Sequence, residues 1–329
     1  MCINTIFELS MVLDHEKFHK LLSRVYKRNG HSEKKDGEYI DRSMAEKGLT
    51  ITYRDSQYKK KVKLIVNAGL AADSDKIDPD KLIKKLDKRI REYFEYKYRV
   101  DDFVLSEVIL AADVDVHSQE SVSAYLTVLH RIGKVKGFSP VVYERLDDVA
   151  SFCLDGNSNG ISFLLYDLHG MFRKRAKDNN MGKKRLKTVI KASEGILRAE
   201  AHLTKPKAIR DCTEANNISG QIVEVLEKCQ DIFLEIFVRI VPFGDFYKKD
   251  KAMEIIRNEV EDIRLRRKML RLVELIPEKK SLYLAQKAMN YRNIEKIMKA
   301  FAKIGVSPVT ISKRQDTKRL KNIYEYLIT

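Results

Sequence analysis

Residues 149–168 read VASFCLDGNSNGISFLLYDL, two apolar runs on either side of a polar hexapeptide. The hexapeptide, 155–160, consists only of Asp, Gly, Asn and Ser, which tolerate the positive φ angles of tight turns. The stretch therefore predicts a β-hairpin with strands at about 149–154 and 161–168. Such a hairpin is a local unit of an antiparallel sheet, and sheet-forming segments recur before and after it.

The first 210 residues mix strands and helices. Asp14 is expected to cap a helix that runs to about residue 28, and helices are also expected around 82–94 and at 120–132. Residues 29–37 are expected to form a loop, because Asn-Gly and Asp-Gly pairs favour turns. The strands are too many for a helical bundle and do not alternate regularly with helices, so the expected fold class is α+β with an antiparallel sheet. Further strands are predicted at 3–12, 48–54, 58–68, 104–117 and 195–203.

From Asp211 onward the pattern becomes mainly helical, which predicts a second domain over 211–329 after an α+β domain over 1–210. Helices are expected at 221–241, 251–275, 281–289 and 293–304, and a short strand-like run at 309–311 precedes a last helix. The helices at 281–289 and 293–304 form a helix-turn-helix-like pair. Lys313 and Arg314 follow this pair and are expected to contact DNA.

The composition excludes several classes of protein. The chain of 329 residues carries 63 Lys and Arg against 47 Asp and Glu, a formal charge of +16 that favours a polyanionic partner, either nucleic acid or an anionic membrane surface. No apolar run reaches the roughly 18 residues of a membrane span, and the N-terminus does not have the pattern of a signal peptide. The four cysteines are scattered, which is expected in a reducing cytosol rather than in a disulfide or zinc scaffold.

Two predicted strands carry polar side chains on one face. Because side chains alternate along a strand, Asp113, Asp115 and His117 share one face of the predicted strand at 104–117. Arg198, Glu200 and His202 share a face of the strand at 195–203 in the same way. If the two strands are neighbours, carboxylate and imidazole groups converge as ligands for Mg²⁺ or Mn²⁺. The alternative is a half-exposed strand whose outer face is acidic. The predicted metal ligands are Asp113, Asp115, His117, Glu200 and His202.

Tyr166, on the return strand of the hairpin, is the candidate nucleophile. A phenol has a pKa near 10 and needs an activating neighbour, such as a metal that stabilises developing charge. The alternative is an ordinary core or surface aromatic. A basic run follows directly and predicts a groove for a phosphate backbone, although a solvated surface explains such a run as well. Its candidate DNA contacts are Arg173, Lys174, Arg175, Lys183, Lys184, Arg185 and Lys187, to which Arg198 is added.

Several common catalytic motifs are absent from the sequence. It contains no Gly-x-x-x-x-Gly-Lys-Ser/Thr and no Gly-x-Gly-x-x-Gly. Interpretations as an ATP-driven enzyme or a dinucleotide-dependent enzyme therefore have no motif to support them. The remaining pattern favours a nucleic-acid protein with nuclease-type chemistry.

The order of these segments resembles the replication initiators of filamentous phages and related plasmids, the gene II type of rolling-circle initiator. The segments that carry the resemblance are VILAADVDVHS (108–118), ASFCLDGNSNGISFLLYDLHGMF (150–172), GILRAEAHLTKPKAI (195–209) and NIEKIMKAFAKIGVSP (293–308). In that family an Arg-x-Asp strand, a Tyr-x-Lys strand and an Arg-x-Glu strand follow one another. The resemblance implies a relaxase-like catalytic domain with an antiparallel sheet.

The resemblance also implies an enzyme that nicks one DNA strand at a replication origin. Its tyrosine becomes linked to the 5′-phosphate and leaves a free 3′-hydroxyl, in a metal-dependent reaction in the cytoplasm of a bacterial host, with helicase and polymerase of the host as further partners. Tyr166 falls on the family's tyrosine, Asp113 and Glu200 on its carboxylates, and Arg198 on the basic residue before the second carboxylate.

Three positions depart from the family pattern. Leu168 stands where the family has a lysine, and Ala111 or Ala112 where it has a basic residue. The His-hydrophobic-His metal motif of the wider superfamily is not found. Two alternatives therefore stay open: a sequence-specific DNA-binding replication protein without catalysis, and a general binder of nucleic acids or anionic surfaces.

Overall fold

Ten strands form one antiparallel sheet in the computed structural model, which describes residues 3–29, 33–35, 38–74, 76–156, 158–178, 183–291 and 293–328. The spatial order of the strands is β2-β3-β4-β5-β1-β6-β10-β9-β8-β7. β10 thus lies between β6 and β9, and the strands at the two edges are short. The strands are β1 (Asn4–Leu13), β2 (Glu33–Lys35), β3 (Glu38–Asp41), β4 (Leu49–Asp55), β5 (Lys60–Asn67), β6 (Val104–Asp115), β7 (Ser139–Pro140), β8 (Ser151–Gly156), β9 (Ile161–Asp167) and β10 (Ile196–Leu203).

Helices connect these strands and make up most of the chain after residue 211. Short 3₁₀ turns occur at Ala45–Lys47, Val100–Asp102 and Glu144–Leu146, and a small two-stranded sheet pairs β11 (Phe246–Tyr247) with β12 (Arg319–Leu320). The helices are α1 (His15–Asn29), α2 (Ala68–Ala72), α3 (Pro79–Tyr93), α4 (Gln119–Leu129), α5 (Leu168–Asp178), α6 (Lys183–Ala192), α7 (Pro206–Arg210), α8 (Ile218–Glu227), α9 (Cys229–Ile240), α10 (Lys249–Glu259), α11 (Ile263–Lys279), α12 (Leu282–Met289), α13 (Ile294–Lys303) and α14 (Ile323–Ile328).

One face of the large sheet is apolar and covered by helices. Alternate residues of each strand, such as Phe7 and Leu9 in β1, are fully buried there. Helices from both ends of the chain supply the covering layer; Phe237 of α9, for example, packs edge-on against Phe163 of β9 with ring centres 5.9 Å apart. Buried residues from Ile3 to Leu327 belong to one continuous core. The predicted division near residue 210 stays a prediction, since both segments contribute to that core.

The opposite face of the sheet carries charged side chains and positions the candidate site. Its residues are the other half of each alternating pattern, including Glu8 in β1 and Arg198, Glu200 and His202 in β10. The predicted α+β class with a large antiparallel sheet is confirmed. The predicted hairpin is confirmed as β8 and β9, and Asp14 accepts a hydrogen bond from the backbone N–H of Lys17 at the start of α1.

Four local predictions were wrong. The helices expected at 221–241 and 251–275 are each divided in two: the first at Lys228, and the second at 260–262, where Asp262 caps α11 through backbone N–H groups. The expected strand at 309–311 is only an isolated pairing of Ile311 with Lys248. The expected loop at 29–37 contains β2 and β3 begins directly after it, although residues 30–32 and 36–37 lie outside the described residues.

Within the described part of the chain, no helix has both the length and the apolar composition needed to cross a lipid bilayer.

Candidate active site on the polar sheet face

The register of three adjacent strands brings the motif residues together. Arg198 of β10 pairs directly with Asp113 of β6 on one side and with Tyr166 of β9 on the other. Glu200 lies two residues further along β10 and therefore points to the same face. This register meets the condition that the sequence left open: the two polar strands are neighbours, and Asp113 and Glu200 lie on one face.

Glu200 is the centre of a hydrogen-bond network. Tyr166 donates its hydroxyl proton to Glu200 Oε1 at 2.6 Å, and Arg145 Nη2 donates to Oε2 at 2.6 Å. His202 Nε2 also lies 2.8 Å from Oε2, and its Nδ1 lies 3.1 Å from Glu107 Oε1. The imidazole thus bridges two carboxylates. The hydrogen bonds that join Tyr166, Glu200, His202 and Glu107 in series extend across three strands.

Burial and charge set the protonation states in this network. Burial alone would raise the pKa of Glu200, but the hydrogen bond from His202 and the charge of Arg145 outweigh it and lower the pKa to about 2. Burial, followed by the negative charge of Glu200, raises the pKa of Tyr166 well above its usual value, whereas the positive charges of Arg198 and Arg145 act in the opposite direction. At neutral pH the network therefore contains an anionic Glu200 and a neutral phenol.

A second apolar cluster covers the tyrosine on this face. The segment 141–149, named here the cover loop, places Leu146 and Val149 against Tyr166 together with Leu168 and Met171 from the start of α5. Tyr166 is only 2% exposed as a result. Arg145 belongs to the same loop and is about one-third exposed, so its guanidinium lies between Glu200 and solvent. Access to the phenol therefore requires movement of the cover loop.

Arg198 and Asp113 form a bidentate ion pair beside this network. Arg198 Nε donates to Asp113 Oδ1 at 2.6 Å, and Nη2 donates to Oδ2 at 2.7 Å. Both oxygens of the carboxylate are therefore occupied. Arg198 was predicted as a DNA contact and Asp113 as a metal ligand; in this arrangement each one binds the other.

The predicted metal ligands do not converge on a common point. Both carboxylates carry guanidinium partners, and both ring nitrogens of His202 lie between Glu200 and Glu107. Among the residues that the structure describes, no three His, Cys, Asp or Glu side chains are placed to hold a metal ion together. The donor set as arranged here does not fit a divalent ion. The requirement for Mg²⁺ or Mn²⁺ stays a prediction.

Asp115 and His117 lie at the exposed end of β6, away from the network. The strand was predicted to continue to residue 117, but it ends at Asp115. His117 has a φ of +70° and donates its backbone N–H to Asp115 Oδ1 at 2.7 Å. Gly195 packs so closely on this turn that a Cβ there would come within 2.9 Å of the His117 backbone. The prediction that His117 shares a face with Asp113 was therefore wrong, because the strand and its alternation of side chains end at Asp115.

The predicted DNA contacts other than Arg198 lie on helices and turns outside the network. Arg173, Lys174 and Arg175 are in α5, where Lys174 Nζ donates to the backbone carbonyl of Asp147. Lys187 is exposed on α6. α6 begins at Lys183, but the side chains of Lys183, Lys184 and Arg185 lie outside the described residues. Lys313 and Arg314 are exposed in the turn before β12. Their contacts with DNA stay predictions.

Sequence reasoning missed two members of the network, Glu107 and Arg145. Glu107 shares its strand and its face with Asp113, so the alternation that selected Asp113 was sufficient to find it. Arg145 follows Tyr143 and Glu144 in a loop without periodicity, and only the packing of the cover loop brings its guanidinium to Glu200. No pattern in the sequence marks it.

Comparisons of the chain with protein-family models, with curated proteins and with solved structures find no match.

The ionised network makes a prediction for the pH dependence of stability. The pKa of Glu200 is lowered from its usual 4.5 to about 2 in the folded protein. The ionised carboxylate therefore stabilises the fold above pH 4.5, and this stabilisation is lost as the pH falls toward 2. His202 behaves in the opposite sense: burial lowers its pKa, but the hydrogen bonds to Glu107 and Glu200 raise it above 6.5. Its stabilisation is present below 6.5 and is lost as the pH rises through the folded-state pKa. Both contributions are complete only between about 4.5 and 6.5.

Urea unfolding followed by circular dichroism at about pH 3, 5.5 and 8.5 checks this expectation. The wild-type midpoint should be highest at the middle value. Glu200→Gln should reduce the fall of the urea midpoint between pH 5.5 and pH 3. His202→Gln should reduce the fall of the midpoint between pH 5.5 and pH 8.5. Identical pH profiles for the wild type and both variants contradict the assignment of these two titrations.

Proposed function

We propose that the protein is a rolling-circle replication initiator that nicks one strand of DNA through Tyr166. The observation that carries the proposal is the juxtaposition of Tyr166, Arg198 and Glu200 on one face of three adjacent strands, with Tyr166 Oη 2.6 Å from Glu200 Oε1. These strands are the ones whose order resembles the gene II type of initiator. A phenol beside a carboxylate and two guanidinium groups has the components needed to attack a phosphodiester.

In the proposed reaction, a bond forms between Tyr166 Oη and the phosphorus, and the bond from phosphorus to O3′ breaks. The phenolic proton passes to Glu200 Oε1, its hydrogen-bond partner, and the leaving O3′ takes up a proton from solvent. Arg145 and Arg198 are close enough to the phenol to lower its pKa, so they are suited to stabilise the negative charge of the bound phosphate. The products are a 5′-phosphotyrosine link and a free 3′-hydroxyl.

The burial of the phenol favours a second candidate, a DNA-binding replication protein without catalysis. Tyr166 is covered by the cover loop and donates to a carboxylate whose pKa of about 2 makes it a weak base. In this alternative the tyrosine and Glu200 stabilise the fold, and the basic helices alone bind DNA. Both candidates place the protein in the cytoplasm of a bacterial host cell; only the first supplies a 3′-hydroxyl to a host polymerase behind a host helicase.

A search for a covalent adduct separates the two. Single-stranded oligonucleotides that tile the DNA encoding the protein are incubated with it in Mg²⁺ or Mn²⁺ and analysed on denaturing gels. The proposal expects one oligonucleotide to give a protein–DNA adduct and a shorter fragment with a free 3′-hydroxyl. Mass spectrometry should place the nucleotide on the peptide that contains Tyr166. Sequence-selective binding without any adduct identifies the second candidate, and binding without sequence preference at raised salt identifies a general nucleic-acid binder.

A further inference from the structure

The cover loop (141–149) is anchored to the hairpin strands at its two ends. Val141 donates its backbone N–H to the carbonyl of Cys153 at 3.1 Å, and Asp167 donates its backbone N–H to the carbonyl of Ala150 at 3.0 Å. Between these anchors, three backbone hydrogen bonds join residues of the loop to one another, so they move with it. Side-chain contacts therefore hold the middle of the loop against the sheet.

The apolar contacts of the loop belong to a small cluster of their own. Leu146 and Val149 are the buried side chains that the loop contributes, and they pack with Tyr166, Leu168 and Met171. The main core is a distinct cluster on the other face of the sheet. Segments with few buried apolar contacts open at a lower free energy than the core does. The loop can therefore open while the main core stays folded.

Two polar contacts hold the middle of the loop closed. Arg145 Nη2 donates to Glu200 Oε2 at 2.6 Å, and Lys174 of α5 donates its ammonium group to the backbone carbonyl of Asp147. The second contact joins the loop to a residue that is predicted to bind DNA. A phosphate is a stronger partner for an ammonium group than a neutral carbonyl is, because both members of the pair are then charged. Phosphate groups therefore compete with the loop for Lys174.

The exposed charges of the loop are mainly negative. Three acidic side chains stand against one basic side chain, a net charge of −2, and all four are exposed: Glu144, Asp147, Asp148 and Arg145. The neighbouring Arg173 and Arg175 of α5 are also exposed. A DNA backbone is attracted by α5 and repelled by the closed loop, since like charges repel at short distance. DNA bound to α5 thus disfavours the closed position of the loop.

We propose that the cover loop is an autoinhibitory lid, held closed by Lys174 and opened when DNA phosphates bind the basic residues of α5. In the closed position the lid buries Tyr166 and keeps a phosphodiester away from the phenol. DNA that binds α5 takes Lys174 from the carbonyl of Asp147 and gains access to the tyrosine. The link to nicking rests on the proposed function, whereas the competition between the loop and DNA for Lys174 does not.

The thiol of Cys153 reports the position of the lid without any nicking. Its side chain is 5% exposed and belongs to the same small cluster as Tyr166, and burial raises the pKa of the thiol to about 11. N-ethylmaleimide should therefore label Cys153 only when the lid is open. The labelling rate in EDTA without DNA, measured by mass spectrometry of the Cys153 peptide, follows the open fraction when opening and closing are faster than labelling.

Lys174→Met should raise the labelling rate of Cys153 roughly 3- to 10-fold, since it removes a charge-assisted hydrogen bond from the closed lid. Arg175→Met is the matched control: it removes the same charge from an exposed position of the same helix and should keep the wild-type rate. A wild-type rate in Lys174→Met, or an equal increase in both variants, overturns the role of Lys174.

The affinity for DNA should change together with the opening of the lid. Leu146→Ala removes packing from the loop without changing its charge, so it should raise the labelling rate of Cys153 roughly 10-fold. Because linkage is reciprocal, a lid that competes with DNA lowers the affinity by the fraction of molecules that are open. The affinity for a fluorescent oligothymidylate, measured by anisotropy in EDTA, should therefore rise by the same factor. Leu21→Ala, which changes a buried leucine in α1, is the control and should alter neither quantity.

Each outcome of this comparison decides the proposal. Faster labelling of Leu146→Ala with unchanged affinity overturns it, because the loop and DNA then do not compete. Unchanged labelling, or equal changes in Leu146→Ala and Leu21→Ala, overturns it as well. Equal increases in labelling rate and affinity, found in Leu146→Ala but not in Leu21→Ala, support the lid even if no adduct forms at Tyr166. The failure of the proposed function is therefore distinguishable from the failure of the lid.

Discussion

Tyr166→Phe should abolish the covalent protein–DNA adduct while leaving DNA binding and folding nearly intact. The substitution removes one oxygen, the only atom of the side chain that can attack phosphorus, so the rate of nicking should fall by orders of magnitude. The ring stays packed against the cover loop and α5. Glu200 keeps its hydrogen bonds to Arg145 and His202, so the loss of stability should be about 0.5–1.5 kcal/mol. Adduct formation on denaturing gels and urea unfolding measure the two effects separately.

Tyr143→Phe is the matched control for this prediction. Tyr143 lies in the cover loop and packs against the same cluster, but it is outside the three strands that carry the site. The control should form the adduct at the wild-type rate. If Tyr143→Phe loses the adduct and Tyr166→Phe keeps it, the nucleophile is misassigned although the function stands. If neither substitution matters, another tyrosine or an activated water carries out the reaction.

Glu200→Ala should be among the most destabilising single substitutions in this chain. Its carboxylate is 5% exposed and is the shared partner of Tyr166, Arg145 and His202. Removing it leaves the guanidinium of Arg145, the imidazole of His202 and the hydroxyl of Tyr166 without their shared anion, which costs about 3–5 kcal/mol of folding free energy. The free energy of unfolding in urea measures this loss. Glu200→Gln keeps the volume and one hydrogen-bond acceptor, so we expect an intermediate value.

Asp115→Ala is the control, because it removes a carboxylate from the exposed end of the neighbouring strand. Its cost should be about 1 kcal/mol or less, from the lost hydrogen bond to the backbone of His117. A Glu200→Ala protein as stable as Asp115→Ala contradicts the view that Glu200 organises the network. The site would then be a polar surface that tolerates change.

Much of the sheet was predictable, because its strands alternate between a buried and a polar side. The polar face of β10 was found in this way, and so was the strand pair of the hairpin at 155–160. The register that places Arg198 opposite Asp113 was not predictable, since it depends on contacts between strands about 80 residues apart in sequence. The breaks in the C-terminal helices were also missed, because apolar periodicity continues across Lys228 and Val260.

The polar network was only partly predictable for a related reason. Alternation identifies which residues share a face, but it does not identify their partners. The sequence suggested the carboxylates and imidazole as metal ligands, whereas in the fold the guanidinium groups of Arg145 and Arg198 bind the carboxylates, and His202 lies between Glu200 and Glu107. Arg198 was assigned to DNA because its ion pair with Asp113 has no signature along the chain. The contribution of Arg145 depends on how a nonperiodic loop folds over the sheet.

The place of β10 in the sheet has a consequence for how the protein folds. β6 and β9 are not paired with each other, so the interior of the sheet stays open until residues 196–203 enter between them. Until then the two strands expose unpaired backbone groups, which promote aggregation, and closure over such a long sequence separation is slow. Because Arg198 and Glu200 are carried by the inserted strand, the Tyr166 network forms only with the last central pairing. A nascent chain released before residue 196 therefore contains the tyrosine but none of its charged partners from β10.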